Sequence, residues 1–82
     1  MRSAVRTVCE YIDGHLSAEL TRTGLAGLVY MNPDYLGSLF KEELGVSMTM
    51  YIQSRRLDQA KVLLRETEMP ISKVAETVGY DN

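Results

Sequence analysis

Asp34, Gly37, Ser38 and Lys41 follow Pro33 at intervals of three and four around one helical face. Their types suit hydrogen bonding and not bond breaking: an acidic acceptor, a gap, a hydroxyl and a cation. A helix is about as wide as the DNA major groove, where such a face can read base edges. Lys41 can reach a phosphate or a guanine edge, and Ser38 a base or a phosphate. Asp34 can accept from cytosine N4, and Gly37 allows close approach. The face has no Arg, Asn or Gln to make bidentate base contacts, so modest sequence discrimination is expected. Further along, Arg55 and Arg56 are candidate phosphate contacts. With Asp58, Glu66 and Glu68 near in sequence, packing and ion pairing are an equal alternative for both.

No other constellation carries chemistry. The chain has no nucleophile–base pair, carboxylate pair, metal-ligand cluster or phosphate-cradling glycine loop. It therefore reads as a binding module without a cofactor, and not as an enzyme. Cys9 lies on an apolar face and reads as a small buried hydrophobe rather than a redox switch. His15 has no Cys or His at ligand spacing and reads as a charge near a helix end rather than a metal ligand. Glu42 and Glu43 read as a solvated face, and the five methionines and five tyrosines as scattered core and rim residues.

The elements that position these residues are all helical. Val5, Val8, Cys9, Ile12 and Leu16 recur at steps of three and four, which marks a first helix. A second runs from about Thr23 to Tyr30 with Leu25, Ala26 and Val29 inward. Gly24 and Gly27 weaken it by about 1 kcal/mol each relative to alanine, so packing must hold it. Asn32-Pro33-Asp34 starts a third helix: Asn caps, Pro fits the first turn, and Asp complements the positive end. Leu36, Leu39 and Phe40 form its inward stripe, and Gly45 ends it. Ser47 caps a long fourth helix to about Arg65, with apolar positions Tyr51, Ile52, Leu57, Ala60, Leu63 and Leu64. Pro70 biases Met69 away from helix. Ser72 is expected to cap a last short helix through Val78, with Gly79 as terminator.

One motif occurs twice. Leu25-Ala26 through Val29-Tyr30-Met31-Asn32 recurs 49 positions later as Val74-Ala75 through Val78-Gly79-Tyr80-Asp81. Each copy is the front half of a helix-turn-helix, in which alanine lets the second helix pass close and the turn joins two steeply crossed helices. With Arg22 as the first position, Leu25, Ala26, Val29, Met31, Leu36 and Leu39 fall where that packing needs apolar residues. The turn position favours glycine, because it often needs positive φ. Gly79 meets this and Tyr30 does not, so strain or a different winding is expected in the first turn. The second copy breaks off at Asn82. The half-lobe after Pro70 is therefore expected to leave Ile71, Val74 and Val78 exposed, which is the basis of an alternative reading as an all-α interaction or self-association module.

Bulk properties bound the rest. At 82 residues the chain is one small domain or two small lobes with a connector. Apolar content of 45% and charged content of 24% are ordinary for a globular chain. No apolar run approaches a membrane span, and no export signal follows the N-terminus. A single cysteine requires no oxidising compartment, so a cytoplasmic location is expected. The formal charge of −2 counts against a simple polyanion binder, which leaves charge distribution to decide.

These residues together resemble the DNA-binding domain of the AraC/XylS transcription regulators. The matching residues are Tyr35-Leu36, Leu39-Phe40-Lys41, Gly45-Val46-Ser47, Tyr51-Ile52, Arg56-Leu57, Ala60, Leu63-Leu64, Ile71, Val74-Ala75 and Val78-Gly79-Tyr80. The resemblance covers nearly the whole chain. It implies an all-α fold of two homeodomain-like helix-turn-helix lobes, residues 1–46 and 67–82, the second incomplete, joined by a linker helix at 47–66. It implies a recognition helix over about residues 33–43, with Asp34, Gly37 and Ser38 facing bases and Lys41 near the backbone. Ser38 stands where family members often carry Arg. Double-stranded DNA is the implied partner, and RNA polymerase is a second candidate. The family's second recognition helix, its basic tail and its regulatory domain are absent from the sequence, so a fragment of a longer regulator is expected.

Overall fold

Thr21, Asn32 and Ser47 each stand just before a helix, and each side-chain oxygen accepts a backbone N–H from the first turn. Thr21 accepts from Gly24, Asn32 from Asp34 and Tyr35, and Ser47 from Met50. Such caps satisfy donors with no partner inside the helix, at about 1 kcal/mol each. In the computed structural model, which describes residues 2–80, five helices follow. They are α1 (Ser3–Gly14), α2 (Arg22–Leu28), α3 (Pro33–Leu44), α4 (Met48–Glu66) and α5 (Ile71–Thr77). No strand occurs among the described residues. Asp81, which ends the second motif copy, and Asn82 lie outside them.

The apolar stripes of the first three helices meet in one core. Val5, Val8 and Ile12 of α1, Leu25 and Ala26 of α2, and Leu36, Leu39 and Phe40 of α3 are all buried. Met48 and Ile52 from the start of α4 complete the cluster. Ala26 is 1% exposed, as a close helix crossing requires. Phe40 meets Tyr51 edge to face at 5.5 Å, which ties α3 to α4. Burial raises the pKa of the Tyr51 hydroxyl, and that of the Cys9 thiol beside it. A raised thiol pKa disfavours the reactive thiolate, in keeping with Cys9 as core.

The repeat is structural as well as sequential. The helices α2 and α5 have seven residues each and sit at the same 49-residue offset. Met31 N donates to Ala26 O at 3.1 Å, and Tyr80 N to Ala75 O at 2.7 Å. This bond, six residues closing on one, seals the helix end when the turn residue has positive φ. Tyr30 and Gly79 supply it, at φ 56° and 98°. The strain expected at Tyr30 is therefore present. Its side chain is 97% exposed, so no packing offsets that strain. Tyr30→Gly should stabilise the domain by about 0.5–1 kcal/mol, the left-handed penalty less the added chain entropy of glycine. Urea denaturation checks this; a loss of stability would mean that the tyrosine ring contributes packing.

Three expectations are corrected. Ser72 does not cap α5: Pro70 holds the cap position, and Ser72 lies inside the helix. The extended Met69-Pro70 backbone and the inward turn of Val74 and Val78 set that earlier start. Val74 and Val78 are buried, at 3% and 0%, and only Ile71 is exposed, at 76%. The α5 segment folds back on α4, which provides the cover expected to be missing. That removes the observation behind the interaction-module alternative. Glu43 is not solvated: its Oε1 accepts the backbone N–H of Arg2, and its Oε2 is buried without a partner among the described residues. It acts at the N-terminus of α1, where a negative charge is favourable.

Candidate nucleic-acid interface

Leu36, Leu39 and Phe40 point inward because the core is apolar, so the helical period turns the intervening residues out. Asp34, Gly37, Ser38 and Lys41 accordingly line one open concavity of about 470 Å³. Arg22 of α2 lines it too, as do Ser47, Met48 and Thr49 at the start of α4. Pro33 occupies the first helical position and starts the same face. The first turn of α4 adds partly positive backbone to the rim beside Lys41. The sequence-predicted group around α3 is thus brought together.

Arg22 is the member that sequence reasoning missed. Its Nη2 lies 3.1 Å from Asp34 Oδ1 and 3.3 Å from Pro33 O. The capping role of Thr21 would have put Arg22 at the first position of α2. The motif spacing gives the crossing of α2 and α3, but not that the Arg22 side chain reaches Asp34. The pair is solvent-exposed, so its contribution to stability is about 0–1 kcal/mol.

Arg55 and Arg56 lie elsewhere and do not line that concavity. Arg55 Nε bonds Asp13 Oδ1 at 3.0 Å, and its Nη1 lies 3.5 Å from Asp58. Tyr51 donates its hydroxyl to the same Asp13 carboxylate, so this cluster straps α1 to α4. Arg56 donates from Nε to Leu16 O at 3.0 Å and from Nη2 to Ala18 O at 2.9 Å. Its guanidinium also sits 5.9 Å from the Tyr80 ring centre. Both arginines thus make structural contacts. His15 stacks on Tyr11 at 3.9 Å, and its Nδ1 lies 2.8 Å from Tyr11 O.

Two crossed helices around a buried alanine, with an outward polar face on the second, define a helix-turn-helix domain. A family model described as a helix-turn-helix domain matches residues 25–82. The arabinose operon regulatory protein of Salmonella typhimurium is 39% identical over the whole chain, and the chain spans 30% of its length. The solved C-terminal domain of AraT, a response regulator from Geobacillus stearothermophilus, superposes with a TM-score of 0.95 at 38% identity. That match covers 99% of this chain and 68% of AraT's. The DNA-binding domain of AdpA, a global transcriptional factor solved with a target DNA, shares the fold: its TM-score is 0.92 at 21% identity, over 99% of this chain and 73% of AdpA's. The chain belongs to the AraC/XylS type of helix-turn-helix transcription regulators. No described helix is long and apolar enough to cross a membrane.

Proposed function

We propose that the chain binds double-stranded DNA sequence-specifically as the DNA-binding domain of an AraC-type regulator, with α3 in the major groove. The observation that carries this is the single concave face of Asp34, Gly37, Ser38 and Lys41, backed by a core that holds α3 rigidly. On this reading Lys41 contacts a phosphate or a guanine edge, Ser38 a base or phosphate, and Pro33 and Gly37 permit close approach. The net charge of −2 does not forbid it, because Arg22 offsets Asp34 on this face and Lys41 leaves it positive where the groove would lie. Residues 1–46 form the first lobe, 47–66 the linker helix, and 67–82 belong to a second lobe. The linker spans about 28 Å at the usual helical rise, close to the ~34 Å between successive major-groove segments on one DNA face. Arg55 and Arg56 serve mainly to hold α4 to α1 and to the loop after it. On this reading the protein is a cytoplasmic binder and not an enzyme, and RNA polymerase is a candidate second partner.

The test is duplex binding as a function of salt. Affinity should fall steeply as salt rises, because counterions are released from the phosphates that the protein neutralises. Lys41→Ala should reduce the slope of log affinity against log salt by about 1 if Lys41 meets a phosphate. If it reads guanine instead, preference at one base pair should change. Binding that is flat in salt would overturn the DNA reading.

A further inference from the structure

We propose that Arg22, carried by α2 and not by the recognition helix, is a base-reading residue, held by Asp34 so that its guanidinium meets a guanine edge. The inference rests on the reading that α3 enters a major groove, and it changes which residues do the discriminating. The α3 face has no Arg, Asn or Gln of its own, yet the concavity contains an arginine. Both of its contacts, to Asp34 Oδ1 and Pro33 O, use Nη2, which leaves Nη1 and Nε, on different edges of the guanidinium, each able to make a single bond. With Nη2 engaged, Nη1 can donate one bond to guanine O6 or N7, acceptors that arginine commonly reads in the major groove. Asp34 then has a different task from accepting a cytosine proton. An acidic side chain that is 90% exposed would repel phosphates when bare, and pairing with Arg22 neutralises it.

Gly37 is the second observation. A Cβ at this position would lie 3.1 Å from Arg22 Nη2 and 4.0 Å from its Cζ. The missing side chain thus makes room for the guanidinium against α3. The close approach that Gly37 permits is in the first place that of Arg22.

Selection from a randomised duplex library at low salt tests this, using the chain itself and three variants. The chain should enrich a G·C pair at one position within the α3 site. Arg22→Ala should lose that preference, with on the order of 10-fold weaker binding to the selected duplex. Arg22→Lys keeps the charge but not the planar fork, so the salt slope should persist while the preference falls. Gly37→Ala crowds the guanidinium while adding the better helix former. It should raise the thermal midpoint and weaken the same preference, a combination that a purely structural role for Arg22 would not produce. If Arg22→Ala and Arg22→Lys both keep the original preference at every position, the proposal is overturned. If the unaltered chain selects no sequence and binds without salt dependence, the DNA reading falls and this inference with it.

Discussion

Phe40→Ala should cost about 4 kcal/mol of stability, the usual loss for a large aromatic truncated in a core. Phe40 is fully buried in the cluster and is its largest fully buried side chain. The edge-to-face contact with Tyr51 is lost as well. Small domains have about 5–15 kcal/mol in total, and one of this size lies toward the lower end. The midpoint of thermal unfolding should drop by roughly 20 °C. Urea denaturation measures the first and a thermal melt the second, both followed by circular dichroism. DNA binding should fail with them, because Phe40 alternates along α3 with Gly37, Ser38 and Lys41. A loss below about 1 kcal/mol would show that the core is not organised around this ring.

The second large effect is expected from Gly79→Ala. The backbone here has φ 98°, which a residue with a Cβ adopts only at a cost. The added carbon would also lie 2.2 Å from Leu16 O and 2.7 Å from Arg56 Nε. These two atoms are hydrogen-bonded to each other, so the methyl group intrudes on the contact that fastens the turn after α5. A backbone carbonyl cannot step aside as a flexible side chain can. The expected loss is about 3 kcal/mol, from backbone strain together with a charge-assisted bond. It should be local. Hydrogen exchange should show α5 amides losing protection while α1 and α3 keep theirs. Arg56→Ala should give the same pattern without a backbone clash. Arg56→Lys should not restore it, because one ammonium cannot serve Leu16 O and Ala18 O in the same fixed geometry. Unchanged protection of α5 in Gly79→Ala would contradict this account.

Both results bear on how the two motif copies differ. In the first, α3 lies against α2, Ala26 is sealed, and the exposed turn tolerates a strained tyrosine. In the second, the turn itself is the contact: Gly79 sits against Leu16 and Arg56, and the backbone needs both the positive φ and the missing Cβ. Glycine and tyrosine at equivalent positions thus reflect different surroundings and not different turns.

Much of this was legible in order. Helix starts at Asn32 and Ser47, the Gly45 stop and the core stripes of α1 and α3 follow from local chemistry, since caps and periodicity act over a few residues. The grouping of Asp34, Gly37, Ser38 and Lys41 also follows, because they lie within two turns of one helix. The long α4 was less legible. Leu57 and Leu64 look like core positions, but each is 51% exposed, and the buried residues are Met48 and Ile52 near its start. A helix that leaves the core after its first turns keeps apolar residues for which composition alone predicts burial.

What this sequence determined by itself is local: five helices, the caps at Asn32 and Ser47, the stop at Gly45, a repeated turn motif, and a polar face on α3. These arise from interactions between residues a few positions apart, which any reader of the chain can count. Tertiary structure decided the contacts between distant segments. It set Arg22 against Asp34 and Gly37, took Arg55 and Arg56 into links with Asp13, Leu16 and Ala18, and folded Val74 and Val78 under cover. An arginine can donate to phosphate, carboxylate or carbonyl, and the crossing of helices decides which of them is in reach.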